Sequence, residues 1–335
     1  MNNNQSKGLT MEQLAGQRLM AGFRGTRMNT ELKYLIGDLY VGGIILFARN
    51  IETPDQLQGL CADAQQYAAD CGQPPLIVAV DQEGGAVARF KPPFTQFPGN
   101  PHISSEEEAA AFARTSAREM KTVGVNMDMA PVLDVAFGQE QSVMANRAFS
   151  HDPEKVASLG AAVIDQFQAD GIMAVAKHFP GIGRTTLDSH KDLPFLDTAP
   201  EHLSAADLIP FDVAVKKGVS SVMLSHVVYS QLDAQWPASL SPVIANDLLR
   251  RQMGFEGVVV TDDLDMGAIK RHFDIHTVVE QIWAAGIDIA LICHSLADIE
   301  TAFEQMHTYL KRSDQDLYRC RLCADRILSL KDNYL

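Results

Sequence analysis

One phrase, repeated along the chain, constrains the fold more than any other feature: a short apolar run, a polar residue or two, then a capped helix ending at glycine. Asp152-Pro153 supplies an N-cap and a first helical residue. Val156, Leu159, Val163 and Phe167 then recur at helical spacing, and Gly171 marks the stop. Ile172-Met-Ala-Val-Ala176 follows at once and reads as a buried strand. The phrase returns at Ser241-Pro242 through Gly254, ahead of Gly257-Val-Val-Val260, and at Ser105 through Gly124, ahead of Val125-Asn-Met-Asp-Met129. With these, the spacing predicts strands at Leu19–Phe23, Gly43–Phe47, Leu76–Val80, Val125–Met129, Ile172–Ala176, Ser220–Leu224, Val258–Thr261 and Asp288–Ile292. Strands that are apolar throughout and joined by helices belong to a parallel sheet covered on both faces. About eight βα units in 335 residues favour a closed α/β barrel, a (β/α)8 or TIM barrel, over a doubly wound sheet. No linker or change of composition divides the chain, so residues 1–335 read as a single barrel domain.

The net charge of −14 disfavours a phosphate-backbone partner, and no basic block offsets it, so nucleic acid is not expected. No apolar run reaches the ~18 residues of a membrane span. The first seven residues, Met1 to Lys7, are polar and lack the apolar stretch of an export signal, which points to a soluble, cytoplasmic protein. Five cysteines, an odd number, then read as reduced thiols. Cys320-Arg-Leu-Cys323 is a CxxC, but it falls in a helical segment with no second pair and no nearby His to complete a zinc site.

The polar residues that follow the strands carry the functional signal. Leu76–Val80 runs into Asp81-Gln-Glu-Gly-Gly85, Ile172–Ala176 into Lys177-His178, Ser220–Leu224 into Ser225-His226, Val258–Thr261 into Asp262-Asp263, and Asp288–Ile292 into Cys293-His294. In a parallel barrel these positions converge on the C-terminal face, where the active sites of this fold lie. A single polar strand end is a solvated cap; several ending in Asp, Lys and His read as one site. The segment Lys177 to His190 carries Pro180, Gly181 and Gly183 and is a loop with flexible points. Gly181-Ile-Gly183 lacks the third glycine of a dinucleotide fingerprint, since Thr186 stands there, and the segment lacks the Gly-Lys-Ser/Thr of a P-loop. In Asp188-Ser-His190 the carboxylate can bond the imidazole two residues on and support its charged form; the bland alternative is a surface Asp and His that never meet. Adjacent strand residues face opposite ways, so one of Asp262 and Asp263 is expected at the barrel mouth and the other away from it. That suits a single nucleophile better than a cation cage, although Asp265 nearby keeps the cage in view. Arg89 and Arg147 fall in loops after strands, either solvated or within reach of a sugar or carboxylate.

Lys177-His-Phe-Pro-Gly181 followed by Asp188-Ser-His190 resembles the signature of the β-N-acetylglucosaminidases of glycoside hydrolase family 3. Asp81-Gln-Glu-Gly-Gly85, Asn146-Arg-Ala-Phe149 and Thr261-Asp-Asp-Leu264 resemble three further blocks of the family, in the same order and across nearly the whole chain. The resemblance implies a (β/α)8 barrel and a retaining mechanism with neither metal nor organic cofactor. It implies that Asp262 is the nucleophile and His190 the acid/base, with Asp188 beside it, and that Asp81, Arg89, Arg147, Lys177 and His178 bind the sugar. It implies a small saccharide substrate, in a cytoplasmic protein an N-acetylglucosaminyl–anhydromuramic acid (muropeptide) fragment of recycled cell wall. Two positions depart from the pattern: Ile182 stands where the family commonly has His, and Arg184 where a small or acidic residue is frequent. Both bear on loop conformation and aglycone preference rather than on bond making.

Other readings remain open on these residues. Another family 3 β-glycosidase, or a phosphorylase with phosphate as acceptor, uses the same blocks. Lys177 at a barrel strand end is also a place for a Schiff-base amine, as in an aldolase or related lyase. A sugar-binding barrel without turnover is the third, motivated by the altered loop at Ile182 and Arg184.

Overall fold

The computed structural model describes residues 5–137 and 142–335; Met1–Asn4, the start of the polar leader, lies outside the described residues. Eight βα units follow one another. They are β1 (Leu19–Gly22) with α1 (Thr30–Gly37), β2 (Gly43–Leu46) with α2 (Pro54–Asp70), and β3 (Ile77–Val80) with α3 (Glu106–Thr122). Next come β4 (Met127–Asp128) with α4 (Pro153–Ala169), and β5 (Met173–Phe179) with α5 (Ile209–Lys216). The last three are β6 (Ser221–Leu224) with α6 (Val243–Gln252), β7 (Val258–Thr261) with α7 (Ile275–Ala284), and β8 (Ala290–Ile292) with α8 (Leu296–Tyr309). A final helix, α9 (Asp314–Tyr334), ends the chain.

Every neighbouring pair in the order β7-β6-β5-β4-β3-β2-β1-β8 is parallel. The ends meet where Val260 pairs with Ile289 and the Thr261 N–H donates to the Ile289 carbonyl at 3.1 Å, so the sheet closes into a (β/α)8 barrel. The caps form as the sequence predicts. Asp152 accepts the Glu154 N–H at 3.0 Å, Ser105 the Glu108 N–H at 3.2 Å, and Gly171 leaves α4 with φ +78°. Ser241 likewise caps α6 through the Ile244 N–H at 3.1 Å, but α6 is wound with wider turns than an α-helix.

Why the strands are apolar without alternation is now plain. Ile44, Val78, Val80 and Val259 pack outward against the helices, whereas Ile45, Ile77, Ala79, Val258 and Val260 fill the barrel interior. Met20, Met127, Met129, Met173 and Met223 share that interior, flexible side chains suited to an irregular volume. Ile327 and Leu330 of α9 join the same cluster and close the N-terminal end, which leaves the C-terminal end open. The one strand longer than expected is β5. It continues through Lys177 and His178 to Phe179, with a register shift between Ala176 and Phe179. Among the described residues, no helix is long and apolar enough to cross a membrane.

Candidate active site

A cavity of ≈ 550 Å³ opens at the C-terminal end of the barrel. Asp81, Arg89, Arg147, Lys177, His178, Asp188, His190 and Asp262 all line it, although they come from four strand ends and the loops beyond them.

Its floor is an ion network. From β5, Lys177 Nζ lies 2.9 Å from Asp81 and 2.6 Å from Glu83, and is 2% exposed. Arg89 reaches Asp81 at 3.2 Å, and a short hairpin places it there: the Arg89 and Phe90 N–H groups both donate to the Gln82 side chain. Arg147, from the loop after β4, grips Glu83 with both arms of its guanidinium, at 2.7 and 3.0 Å. Burial pushes the Asp81 and Glu83 carboxyls up, but the surrounding cations outweigh it and hold both well below the usual carboxylate range. The same carboxylates, against the opposing effect of burial, raise Lys177 above an ordinary lysine. Its amine is therefore a fixed cation, a donor to hydroxyl groups and not a free-amine nucleophile. Beside it, His178 Nδ1 bonds Asp134 at 2.7 Å while its Nε2 faces Arg147 at 3.5 Å. Asp134 also takes the Ile182 N–H at 2.7 Å, so one buried carboxylate orients a cavity imidazole and the start of the long loop.

The wall opposite is the end of β7. Asp262 accepts the Asp263 N–H at 2.8 Å on Oδ1; among the described residues no donor is bonded to its Oδ2. Burial works against its charge, but His178, the Asp263 N–H and Lys177 prevail and keep it below the usual range. Asp263 does not turn away from the mouth as strand alternation predicts. It also lines the cavity, because the chain has left the strand at Thr261. Its Oδ1 accepts both the Cys293 N–H at 3.1 Å and the Asp265 N–H at 3.0 Å, and its Oδ2 lies 3.6 Å from His294. Burial first, then the neighbouring Asp265 and Asp262, push it up to about 7. Two adjacent carboxyls thus differ in kind: Asp262 is held in the charged form with one N–H bond, and Asp263 is pushed toward the protonated form with two N–H bonds on one oxygen. Asp265 is drawn off to the His294 and Ser295 N–H groups and to Lys270, so the three aspartates do not converge as a cation cage.

The roof is the loop from Pro180 to Lys191. Its base is pinned. A Cβ on Gly183 would lie 1.8 Å from the Val135 carbonyl, so only glycine passes there. Arg184 bonds the buried Asp207 at 2.8 Å and stacks over Phe137 at 4.0 Å. This is the structural use of one of the two unusual residues; the other, Ile182, is buried against the cavity wall. At the tip, Asp188 Oδ1 bonds His190 Nδ1 at 3.0 Å and accepts the His190 N–H at 2.9 Å, so the two do meet. Burial pushes the Asp188 carboxyl up, but these bonds and the imidazole together outweigh it and hold it low. The His190 side chain is 68% exposed. The Ser189 and His190 carbonyls accept the Ala268 and Gly267 N–H groups at 2.9 and 3.3 Å, tethering the loop just beyond β7.

Sequence reading missed Glu83, Asp134 and the roles of Asp128 and His226. Glu83 stands two residues after Asp81, the strand period, which puts it on the same side. Asp134 is a lone charge in the apolar run Ala130–Ala136. Asp128, at the end of β4, is buried and accepts the Gln82 N–H at 2.9 Å; burial pushes it up to about 8. Cys320 and Cys323 are buried free thiols in α9, and Cys61, Cys71 and Cys293 are free as well.

Residues 6–329 match the glycosyl hydrolase family 3 N terminal domain. The β-hexosaminidase of Thiobacillus denitrificans is 38% identical over 291 residues, 84% of this chain and 79% of that protein. The β-hexosaminidase of Pseudomonas aeruginosa is 36% identical over 307 residues, 90% of each. Among solved structures, a glycoside hydrolase family 3 β-N-acetylglucosaminidase from a Paenibacillus species superposes with a TM-score of 0.94 at 36% identity. That alignment covers 98% of this chain, which spans 63% of the Paenibacillus protein's length.

Proposed function

The chain belongs to glycosyl hydrolase family 3 and is a glycosyl hydrolase acting on N-acetylhexosamine; from that premise we propose that it releases terminal β-linked N-acetylglucosamine with retention of configuration, through a covalent intermediate on Asp262 and with His190 as acid/base. The observation that carries the assignment is the contrast at the end of β7: Asp262 is ionised and accepts a single N–H, leaving Oδ2 open to the cavity, whereas Asp263 takes two N–H groups on Oδ1 and is pushed up to about 7 by burial.

In the first step the Asp262 carboxylate attacks the anomeric carbon as the glycosidic C–O bond breaks. The protonated His190 ring passes its proton to the departing oxygen, and the Asp188 carboxylate supports the charged ring beforehand. Neutral His190 then takes a proton from water, whose oxygen displaces Asp262 and restores the carboxylate. Lys177, Arg89 and Arg147 supply fixed donors to sugar hydroxyls, Asp81 an acceptor, and His178 an oriented ring; together they hold the sugar for in-line attack. The His190 side chain projects into solvent from a loop whose backbone is tethered beyond β7, so substrate binding brings the ring, rather than the whole loop, over the sugar.

The whole chain, residues 1–335, serves as one catalytic barrel, and the substrate is an N-acetylglucosaminyl fragment of recycled cell wall carrying anhydromuramic acid. Five free thiols suit a reducing, cytoplasmic setting. The test is a chromogenic N-acetyl-β-glucosaminide, run with and without phosphate, with the product identified by NMR. Release of β-configured N-acetylglucosamine is expected. A sugar phosphate makes the enzyme a phosphorylase, and an inverted product refutes the intermediate. A fluorinated N-acetylglucosaminide that traps the glycosyl-enzyme is expected to label Asp262; label on Asp263 overturns the assignment.

A further inference from the structure

Beneath Asp262 lies a histidine that the mechanism leaves unused. His226 follows β6, is 1% exposed, and has both ring nitrogens bonded. Nε2 stands 2.9 Å from the Asp263 carbonyl, and Nδ1 stands 2.7 Å from the hydroxyl of the fully buried Ser239. A carbonyl can only accept, so Nε2 carries the proton. Nδ1 is then the lone-pair nitrogen of a neutral ring, and the Ser239 hydroxyl donates to it. Burial disfavours the charged ring and outweighs the pull of Asp262, in agreement with this tautomer. Ser239 is itself fixed, its N–H donating to the Ser225 carbonyl at 2.9 Å.

We propose that His226, its ring held by Ser239, is a positioning residue for the nucleophile: it fixes the peptide that follows Asp262. The chain at the end of β7 is held at successive points. The Asp262 N–H donates to the Leu224 carbonyl at 3.0 Å, and the Asp263 N–H donates to Asp262 Oδ1 at 2.8 Å. The Asp263 carbonyl accepts from Met266 N–H at 3.0 Å and from His226. The Met266 bond belongs to the local turn and moves with it. The His226 bond ties that turn to a different strand, so it sets where the turn stands relative to the barrel. Through it, the Asp263 N–H stays on Oδ1, and Oδ2 is left as the attacking atom. The inference rests on Asp262 being the nucleophile.

Trapping kinetics with the fluorinated N-acetylglucosaminide test it, using His226→Phe, His226→Gln and Ser239→Ala. The Phe variant removes the donor and is expected to slow the trapping step about tenfold, equal to ~1.4 kcal/mol. The inhibition constant of free N-acetylglucosamine stays within about twofold. Gln restores an N–H and recovers most of the rate. Ser239→Ala, the smaller lesion, removes the second anchor of the ring and gives a loss of a few fold with the melting temperature unchanged. The acid limb of the trapping rate adds a readout that mere packing does not move. Lys177 and His178 from β5, His226 from β6 and the adjacent Asp263 face the Asp262 carboxylate. Loosening the Asp263 N–H raises the pH needed to ionise Asp262, so the limb moves upward in Phe and not in Gln. Mass spectrometry of the trapped wild type separates the two claims. Label away from Asp262 overturns the nucleophile and this inference together. Label on Asp262 with wild-type trapping in both His226→Phe and Ser239→Ala overturns the positioning role alone, as does a loss in Phe that Gln does not relieve.

Discussion

Glu83 contacts two cations and never meets solvent, which makes Glu83→Gln a sharp test of the ion network under the sugar. In the wild type one carboxylate oxygen takes Lys177 Nζ at 2.6 Å and Arg147 Nη2 at 2.7 Å, and the other takes Arg147 Nε at 3.0 Å. Glutamine matches the shape but replaces one oxygen with a donor. Its better orientation keeps the carbonyl on the Lys177 side and turns the NH₂ toward Arg147 Nε, setting donor against donor. One charge-assisted bond is lost, worth ~1.5–3 kcal/mol. Lys177 and Arg147 also lose the charge between them, and removing one partner from a buried ion pair costs ~3–5 kcal/mol in all. A loss of about 3 kcal/mol in urea unfolding at pH 7 is the expected result, with a raised KM as Lys177 and Arg147 move apart. The pH dependence carries the sign. The folded carboxyl of Glu83 lies below its unfolded value of ~4.3, so its stabilisation is fully present above that pH and fades as pH falls through the folded value. The gap between wild type and variant therefore narrows below pH ~4.3. A gap under 1 kcal/mol at pH 7, or one that stays constant into acid, refutes the argument.

His190→Ala is expected to keep far more activity on a nitrophenyl glycoside, whose leaving group needs no proton, than on a disaccharide; equal losses on both, measured side by side, contradict an acid/base role. Arg184→Ala cuts the loop base free of Asp207 and Phe137, and is expected to lower turnover on the disaccharide about tenfold for the loss of ~1.4 kcal/mol of anchoring; unchanged steady-state kinetics remove the anchor from the argument. Lys331 is buried in α9 with its ammonium on Gln17 at 2.6 Å, and burial lowers it to about 7. The unfolded chain then binds the extra proton between pH 7 and the ordinary lysine value, so stability rises with pH across that range, and Lys331→Met is expected to flatten the rise in urea melts at pH 7 and 9.

Much of this molecule is legible in the one-dimensional string. Burial on both faces of a parallel sheet writes itself as unbroken apolar runs, and the strand-then-cap grammar around Asp152, Ser105 and Ser241 gives the barrel and the end at which the site must lie. Asp81, Lys177, His178 and Asp262 stand out because a charge directly after an apolar strand has one place to go. The string does not say which charge meets which. Lys177 reads equally as a Schiff-base amine and as a fixed cation until Asp81 and Glu83, nearly a hundred residues earlier, close on it and hold its proton. Asp262 and Asp263 are chemically the same residue in sequence. They become different only because β8 brings the Cys293 N–H to the Asp263 carboxylate, while Asp262 keeps an oxygen without a bonded donor among the described residues. Fold class follows from local periodicity, which each segment carries within itself. Protonation state follows from Coulomb fields and burial, which fall off over a few ångströms of space and take no account of distance along the chain.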